Sequence, residues 1–327
     1  MHRVPDFDHQ SGRHCGAAAL RNLAEYYDWG YSEPVCFGVG GGVGFVTADE
    51  GAWRRFRPCP AWLERAFFEN LDVPHLARED EDADQAWSDV TDRLDDHDPV
   101  VVYLDPGRLP YLDDDHLPPH VALAVGYDDH TVLLSDATRE DPQEVSHATF
   151  REAWVAERDD DAYGFLAVTR PETLEDMQTA ATRGVRATAT GMVSPLDAGF
   201  STGGPGEEGI PAMQSFAADV AAWDALSRPS APVGAAVRSV DWHGEGAALR
   251  GLYADAIDEL SSWARIGGGR AGTMRSVADE WRTVRELFEE AHRDPGDPSD
   301  ELAEAASVLG DVVDREEAFF EDVLDAL

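Results

Sequence analysis

A cysteine standing in front of an alanine run is the residue in this chain best placed to do chemistry. In His14-Cys15-Gly16-Ala17-Ala18-Ala19-Leu20-Arg21-Asn22-Leu23 the alanines favour a helix, and Leu20, Leu23, Ala24 and Tyr27 give it an apolar stripe. Gly16 is expected to let the chain enter the first turn without steric cost. A thiol at a helix start sits over unpaired N–H groups and the positive end of the helix dipole, which stabilises the thiolate. Nucleophilic cysteines are usually built this way. The plainer reading is that a free cysteine is a small buried hydrophobe.

A thiolate nucleophile needs a base to manage its proton and a group to orient that base. His120 opens the apolar run His120-Val121-Ala122-Leu123-Ala124-Val125-Gly126-Tyr127, which reads as a strand. Asp128-Asp129-His130 makes a tight turn into Thr131-Val132-Leu133-Leu134-Ser135-Asp136, so the pair reads as a hairpin. With Val125 roughly opposite Leu133, antiparallel pairing carries the flanks to the neighbourhood of His120 and Asp136. Taken singly, the histidine reads as a surface residue and the aspartate as a turn former. Jointly they supply the base and orienter that Cys15 lacks. His9 and His14 are also near, and His14 is a candidate source of positive charge.

The elements that must hold these residues form two blocks. Ser32-Glu33-Pro34 reads as a break, followed by the glycine-rich run from Phe37-Gly38-Val39-Gly40-Gly41-Gly42-Val43-Gly44 to Phe45. That run lacks the lysine of a phosphate loop, does not complete G-x-G-x-x-G, and follows a helix rather than a strand. Its glycines are expected to allow close backbone packing beside the cysteine helix. Helices are expected over 61–70, 83–95 (with Ala86, Val90 and Leu94 on one face) and 150–157, and strands over 100–104 and 164–169. Past Pro171 the texture turns helical, over 173–184, 212–226, 246–266, 273–292 and 299–327, with a Gly- and Pro-rich loop over 194–211. Gly267-Gly268-Gly269 separates two of these helices. The fold class is therefore α+β over residues 1–180, an N-terminal helix on an antiparallel sheet, followed by a mostly α-helical domain over 181–327.

Composition removes several classes of function. The chain of 327 residues carries 65 acidic and 26 basic residues, a net charge of -39, and every basic residue other than histidine is arginine. Acid in such excess repels nucleic acid and anionic membrane, so neither is expected as a partner. The acids recur in clusters along the whole fold, as in a protein that stays soluble in high salt, and a salt-loving source is expected. Three cysteines, Cys15, Cys36 and Cys59, argue against a disulfide framework, and no zinc-type spacing occurs. Asp113-Asp114-Asp115-His116 with His120 offers a divalent-ion alternative, but an i, i+4 histidine pair has no helical meaning on a proline-containing loop. No metal and no cofactor is assigned. The first residues lack an apolar signal region and no stretch is long enough to span a membrane, so a cytoplasmic location is expected.

The segments His14 to Leu23, Phe37 to Phe45, Leu109-Pro110-Tyr111 and His120 to Asp128 together resemble the N-terminal domain of the butirosin biosynthesis BtrH proteins. The resemblance spans residues 9–170. That family is similar to papain-like and C39-type cysteine enzymes, which place Cys on a helix N-terminus, His on a strand and Asp or Asn on the next. Carried over, the catalytic set is Cys15, His120 and Asp136. Those enzymes carry an oxyanion-hole glutamine six residues before the cysteine; here Gln10 stands five before and is the candidate donor, together with the Cys15 backbone N–H. The later part, through Gly267-Gly268-Gly269-Arg270, resembles the helical domain of unknown function that often follows. The resemblance implies an acyltransferase: a thioester on Cys15, filled from an acyl donor such as a carrier-protein thioester and passed to a small-molecule amine. Hydrolysis of the same intermediate, by a peptidase, amidase or thioesterase, is the alternative, and a non-catalytic binding or scaffold protein is the third reading.

Overall fold

The computed structural model describes residues 1–60, 62–80, 82–112, 120–155, 163–197, 208–267, 269–293 and 298–327. The chain divides into two compact units. One comprises Met1–Gly40 with Ala61–Asp176, and the other Gly41–Pro60 with Met177–Leu327. The helical unit thus includes a piece of chain, 41–60, that a single cut near residue 180 leaves with the first block.

In chain order the elements begin with β1 (His2–Arg3), α1 (Cys15–Tyr26) and α2 (Glu33–Val39), then β2 (Val46–Asp49) and β3 (Arg54–Arg57). Next come α3 (Leu63–Asn70), β4 (His75–Asp80), α4 (Ala83–Asp95), β5 (Val100–Leu104), β6 (His120–Tyr127), β7 (Thr131–Ser135), β8 (Gln143–Ser146), α5 (His147–Ala153), β9 (Trp154–Val155) and β10 (Tyr163–Val168). The remainder is helical: α6 (Met177–Val193), α7 (Gly209–Val220), α8 (Ser230–Val240), α9 (Arg250–Ala264), α10 (Arg270–Arg293) and α11 (Ser299–Ala326).

The first unit is built on an antiparallel sheet in the order β4-β10-β5-β6-β7-β8, with β1 against β6 and β9 against β5. β5 and most of β6 are buried throughout, which is why they read as continuous apolar runs rather than alternating ones. One face packs Val100, Val102, Leu104, Ala122, Ala124, Val132 and Leu134 against Ala86, Val90 and Leu94 of α4. α1 packs against β6, α2 and α3.

The β6–β7 hairpin departs from simple pairing. Asp128 Oδ1 accepts the His130 and Thr131 N–H groups and closes the turn. Gly126 then pairs with Leu133, but Ala124 pairs with Leu134 and Leu123 with Ser135, so Val125 is an extra residue in a β-bulge. Val125 therefore does not face Leu133. Because side chains alternate, a one-residue slip moves a strand's side chains to the other face. In the register beyond the bulge, Asp136 would stand beside Ala122, two residues from His120 and on its side of the sheet. Without the bulge Asp136 would stand beside Leu123, facing away from it.

Several boundaries differ from the sequence reading for local reasons. Ser32-Glu33-Pro34 is a helix start, with the Ser32 hydroxyl accepting the Val35 N–H and the proline in the first turn. α5 starts earlier than 150 because the Ser146 hydroxyl caps Thr149, and it stops at Ala153 where Trp154 and Val155 enter β9. α9 begins only at Arg250, since Ala248 and Leu249 hold left-handed backbone with φ of 49° and 65°. α7 starts inside the expected loop, and β2, β3, β4 and α8 carry too weak a pattern to have been assigned. Asp113 to His116 lies outside the described residues.

In the helical unit Phe45 and Phe56 stack at 4.5 Å between ring centres and meet Phe216 and Trp281. Ser239 donates to the Phe56 carbonyl at 2.6 Å, and Thr188 to the Gly41 carbonyl at 2.7 Å. Arg250 and Glu316, both fully buried, form a two-pronged ion pair at 2.8 Å, joined by the Trp281 indole N–H. No helix among the described residues is long and apolar enough to cross a membrane.

Candidate active site

Cys15 is the first residue of α1 and is 5 % exposed. Its helix starts on His14, whose Nδ1 accepts the Ala17 N–H at 3.1 Å. An accepting Nδ1 carries no proton, so His14 here is a neutral helix cap rather than a source of positive charge. The helix leaves the N–H groups of Cys15 and Gly16 without partners of its own. Those two amides are where charge on a reacting carbonyl oxygen can be met.

Three carboxylates converge on this helix start or on the base that serves it. Glu33 Oε1 accepts the Arg13 and His14 N–H groups at 2.7 and 2.8 Å, fixing the backbone that leads into Cys15. Glu64, 4 % exposed, lies against the α-carbon of Gly16; a Cβ there would stand 1.8 Å from its Oε1. Gly16 is therefore required for room, not for an unusual φ. Asp136 is the third.

His120, at the first position of β6, is 1 % exposed and hydrogen-bonds Asp136 Oδ2 through Nε2 at 2.8 Å. The Cys15 thiol lies beside it. Burial by itself lowers the pKa of His120, but the Asp136 charge and hydrogen bond outweigh it and, with Cys15, push it up to about 10. Burial likewise opposes the charge of Asp136, and the His120 charge with the hydrogen bonds of His120 and Thr138 holds it well below the usual carboxylate range. The site favours a carboxylate–imidazolium pair next to the thiol.

The structure thus places Cys15 beside the His120–Asp136 pair and Gln10 on the strap ahead of Cys15. Gln10 is exposed, and its recorded hydrogen bonds are to its backbone carbonyl, from Arg21 at 2.7 Å and Asn22 at 2.9 Å. Those bonds tether the strap that delivers Cys15. His9 does the same from the other side, bonding Ser135 Oγ at 2.7 Å and the Arg139 carbonyl at 2.9 Å, while the Gly12 N–H reaches the Ala137 carbonyl. The strap leading to Cys15 is therefore tied to the loop around Asp136.

Sequence reasoning did not assign roles to Tyr111, Thr138, Glu33 or Glu64. Tyr111 donates to Asp136 Oδ2 at 2.9 Å, and Thr138 donates its N–H and hydroxyl to Oδ1 at 3.0 and 2.7 Å. The Asp136-x-Thr138 spacing was a usable signal, since such short polar pairs close local turns. Nothing in the sequence pointed to the glutamates.

Residues 14–137 match the family described as butirosin biosynthesis protein H, N-terminal. Residues 143–323 match a domain of unknown function, DUF4872. The chain belongs to the DUF4872 family, whose match covers more than half of its length, and carries ahead of it a match to the butirosin biosynthesis protein H, N-terminal family. No curated protein matches it. The part matched to the butirosin biosynthesis family holds Cys15, Tyr111, His120 and Asp136, while Gln10 precedes it and Thr138 follows it. It also contains 41–60, the segment that packs with the later helices. The match over residues 14–137 ties the chain to secondary metabolism. Among the described residues no group of His, Cys, Asp and Glu is arranged to hold a metal ion, and Cys15, Cys36 and Cys59 are buried and not joined in disulfides.

Proposed function

We propose that this protein is an acyltransferase that forms a thioester on Cys15 and passes the acyl group to an amine. The observation that carries the proposal is the buried His120–Asp136 pair beside a thiol at a helix start. The match of residues 14–137 to butirosin biosynthesis protein H, N-terminal, supports it.

In the first step the Cys15 thiolate attacks the carbonyl carbon of an acyl thioester, of the kind a carrier protein bears. The oxyanion meets the amides of Cys15 and Gly16. As the intermediate collapses, the bond to the leaving sulfur breaks and His120 gives that sulfur its proton, leaving an acyl-enzyme and a free thiol. In the second step an amine attacks the acyl carbon while neutral His120 takes its proton, the Cys15–acyl bond breaks, and an amide departs. Asp136 stays ionised throughout and holds the imidazole. A net charge of -39 favours a cationic amine as acceptor.

The test is intact-mass measurement after mixing the protein with a small acyl thioester, then with amines. The expected result is one acyl mass on wild type, none on Cys15→Ala, discharge to amide with a diamine, and a slowed first step in His120→Ala. Discharge only to the free acid would make the enzyme a hydrolase. Equal modification of Cys15, Cys36 and Cys59 regardless of His120 would overturn both readings and leave a non-catalytic protein.

A further inference from the structure

Asp136 is buried with four donors on its two oxygens. Thr138 fills Oδ1 twice, through its N–H and its hydroxyl, while Oδ2 is shared by the His120 ring and the Tyr111 hydroxyl. A carboxylate has about four lone-pair sites, so this one is saturated. We propose that Tyr111 is a positioning residue of the Cys15 site: its hydroxyl shares the carboxylate oxygen used by His120, fixes that carboxylate, and weakens the hold of Asp136 on the imidazole proton. This rests on the reading of Cys15, His120 and Asp136 as the reacting set.

The physical argument concerns one oxygen. Negative charge on Oδ2 is what attracts a proton to His120. A phenol donating to the same oxygen withdraws part of that charge and makes Asp136 a weaker base. Burial and the Asp136 charge both raise the pKa of Tyr111, so the phenol stays protonated and remains a donor. Arg139 lies over the Tyr111 ring at 5.8 Å and holds the ring from its other side. Titratable groups set against the pair include Cys15 from α1 and Tyr111 ahead of β6, and the charged Arg139 after β7 lies over the Tyr111 ring. A base that must accept a proton and return it in every turnover works best when its proton is not held too tightly. Tyr111 supplies that relief without touching substrate.

Tyr111→Phe keeps the ring under Arg139 and removes only the hydroxyl. In the acyl-transfer assay we expect kcat to fall roughly three- to thirty-fold with KM within about twofold, and the alkaline limb of the pH profile to move up by about half a unit or more. The same displacement is read without turnover by NMR titration of His120 in a Cys15→Ala background, with and without Tyr111→Phe. Site-specific 3-fluorotyrosine at position 111, nearly isosteric and a stronger donor, is expected to move the His120 titration down instead. That variant preserves the test should Tyr111→Phe fold poorly. Opposite displacements by the two changes support the proposal, and an unmoved His120 titration in both overturns it. Because the titration needs no activity, its outcome stands apart from whether Cys15 carries an acyl group at all.

Discussion

His120 Nε2 lies 2.8 Å from Asp136 Oδ2, and the two side chains are 1 % and 0 % exposed. Charges in such a site are stabilised by each other and not by water, so removing one leaves the other uncompensated. Asp136→Asn keeps the shape and removes the charge. It is expected to lower stability by roughly 3 kcal/mol in urea denaturation at neutral pH, and to slow Cys15 alkylation by at least about tenfold. Full stability and full reactivity together would contradict the pairing.

The same pair predicts the shape of the stability–pH curve. His120 has a raised pKa, so its contribution is full below its unfolded value of 6.5 and is lost as pH rises toward about 10. Asp136 has a depressed pKa, so its contribution is present above the unfolded value, about 4, and is lost as pH falls through its low folded value. Wild type should therefore lose up to about 1.4 kcal/mol per pH unit over part of the range from pH 7 to 10, and Asp136→Asn should lack that component. Parallel curves for the two proteins would remove the pair from the account.

Gly16→Ala places a Cβ where the Glu64 carboxylate lies. The carboxylate must move from beside the nucleophile, at an expected loss of roughly 1–3 kcal/mol and with slower alkylation of Cys15. Adding Glu64→Ala should recover part of that loss, since the clash goes with the carboxylate, and a double-mutant cycle measures the coupling. Strict additivity would show that the two residues do not meet.

Phe56 is 1 % exposed and packs against Phe45, Phe216 and Trp281. Phe56→Ala is expected to destabilise the helical unit by about 3–5 kcal/mol, followed by tryptophan fluorescence. A fragment covering 177–327 alone loses both phenylalanines of segment 41–60, and should melt without a cooperative transition that the segment, fused back, restores. A sharp transition in the bare fragment would mean that the helices are self-sufficient.

Arg250→Ala leaves Glu316 buried with the Trp281 N–H as its remaining donor among those described, and should cost about 3–5 kcal/mol. Replacing both members with apolar residues of similar volume should recover most of that loss, as judged by thermal melts.

Much of the active-site unit was legible in the chain. Continuous apolar runs marked β5, β6 and β7, because strands buried on both faces need no polar alternation. The alanine run after Cys15 marked α1, and the short acidic turn announced the hairpin that carries His120 and Asp136. Residue type and spacing thus pointed to the three side chains that are proposed to react. Tertiary structure decided what local rules cannot encode. The bulge at Val125 sets which face Asp136 shares, and no single residue there advertises it. Glu33 and Glu64 reach the helix start from α2 and α3, and segment 41–60 packs against helices more than a hundred residues later. Such contacts depend on distances in space between parts of the chain that are far apart in sequence, and the close approach of Asp136 to His120, working against burial, makes them a charged pair beside Cys15. The thiol was visible in the sequence; its surroundings required the fold.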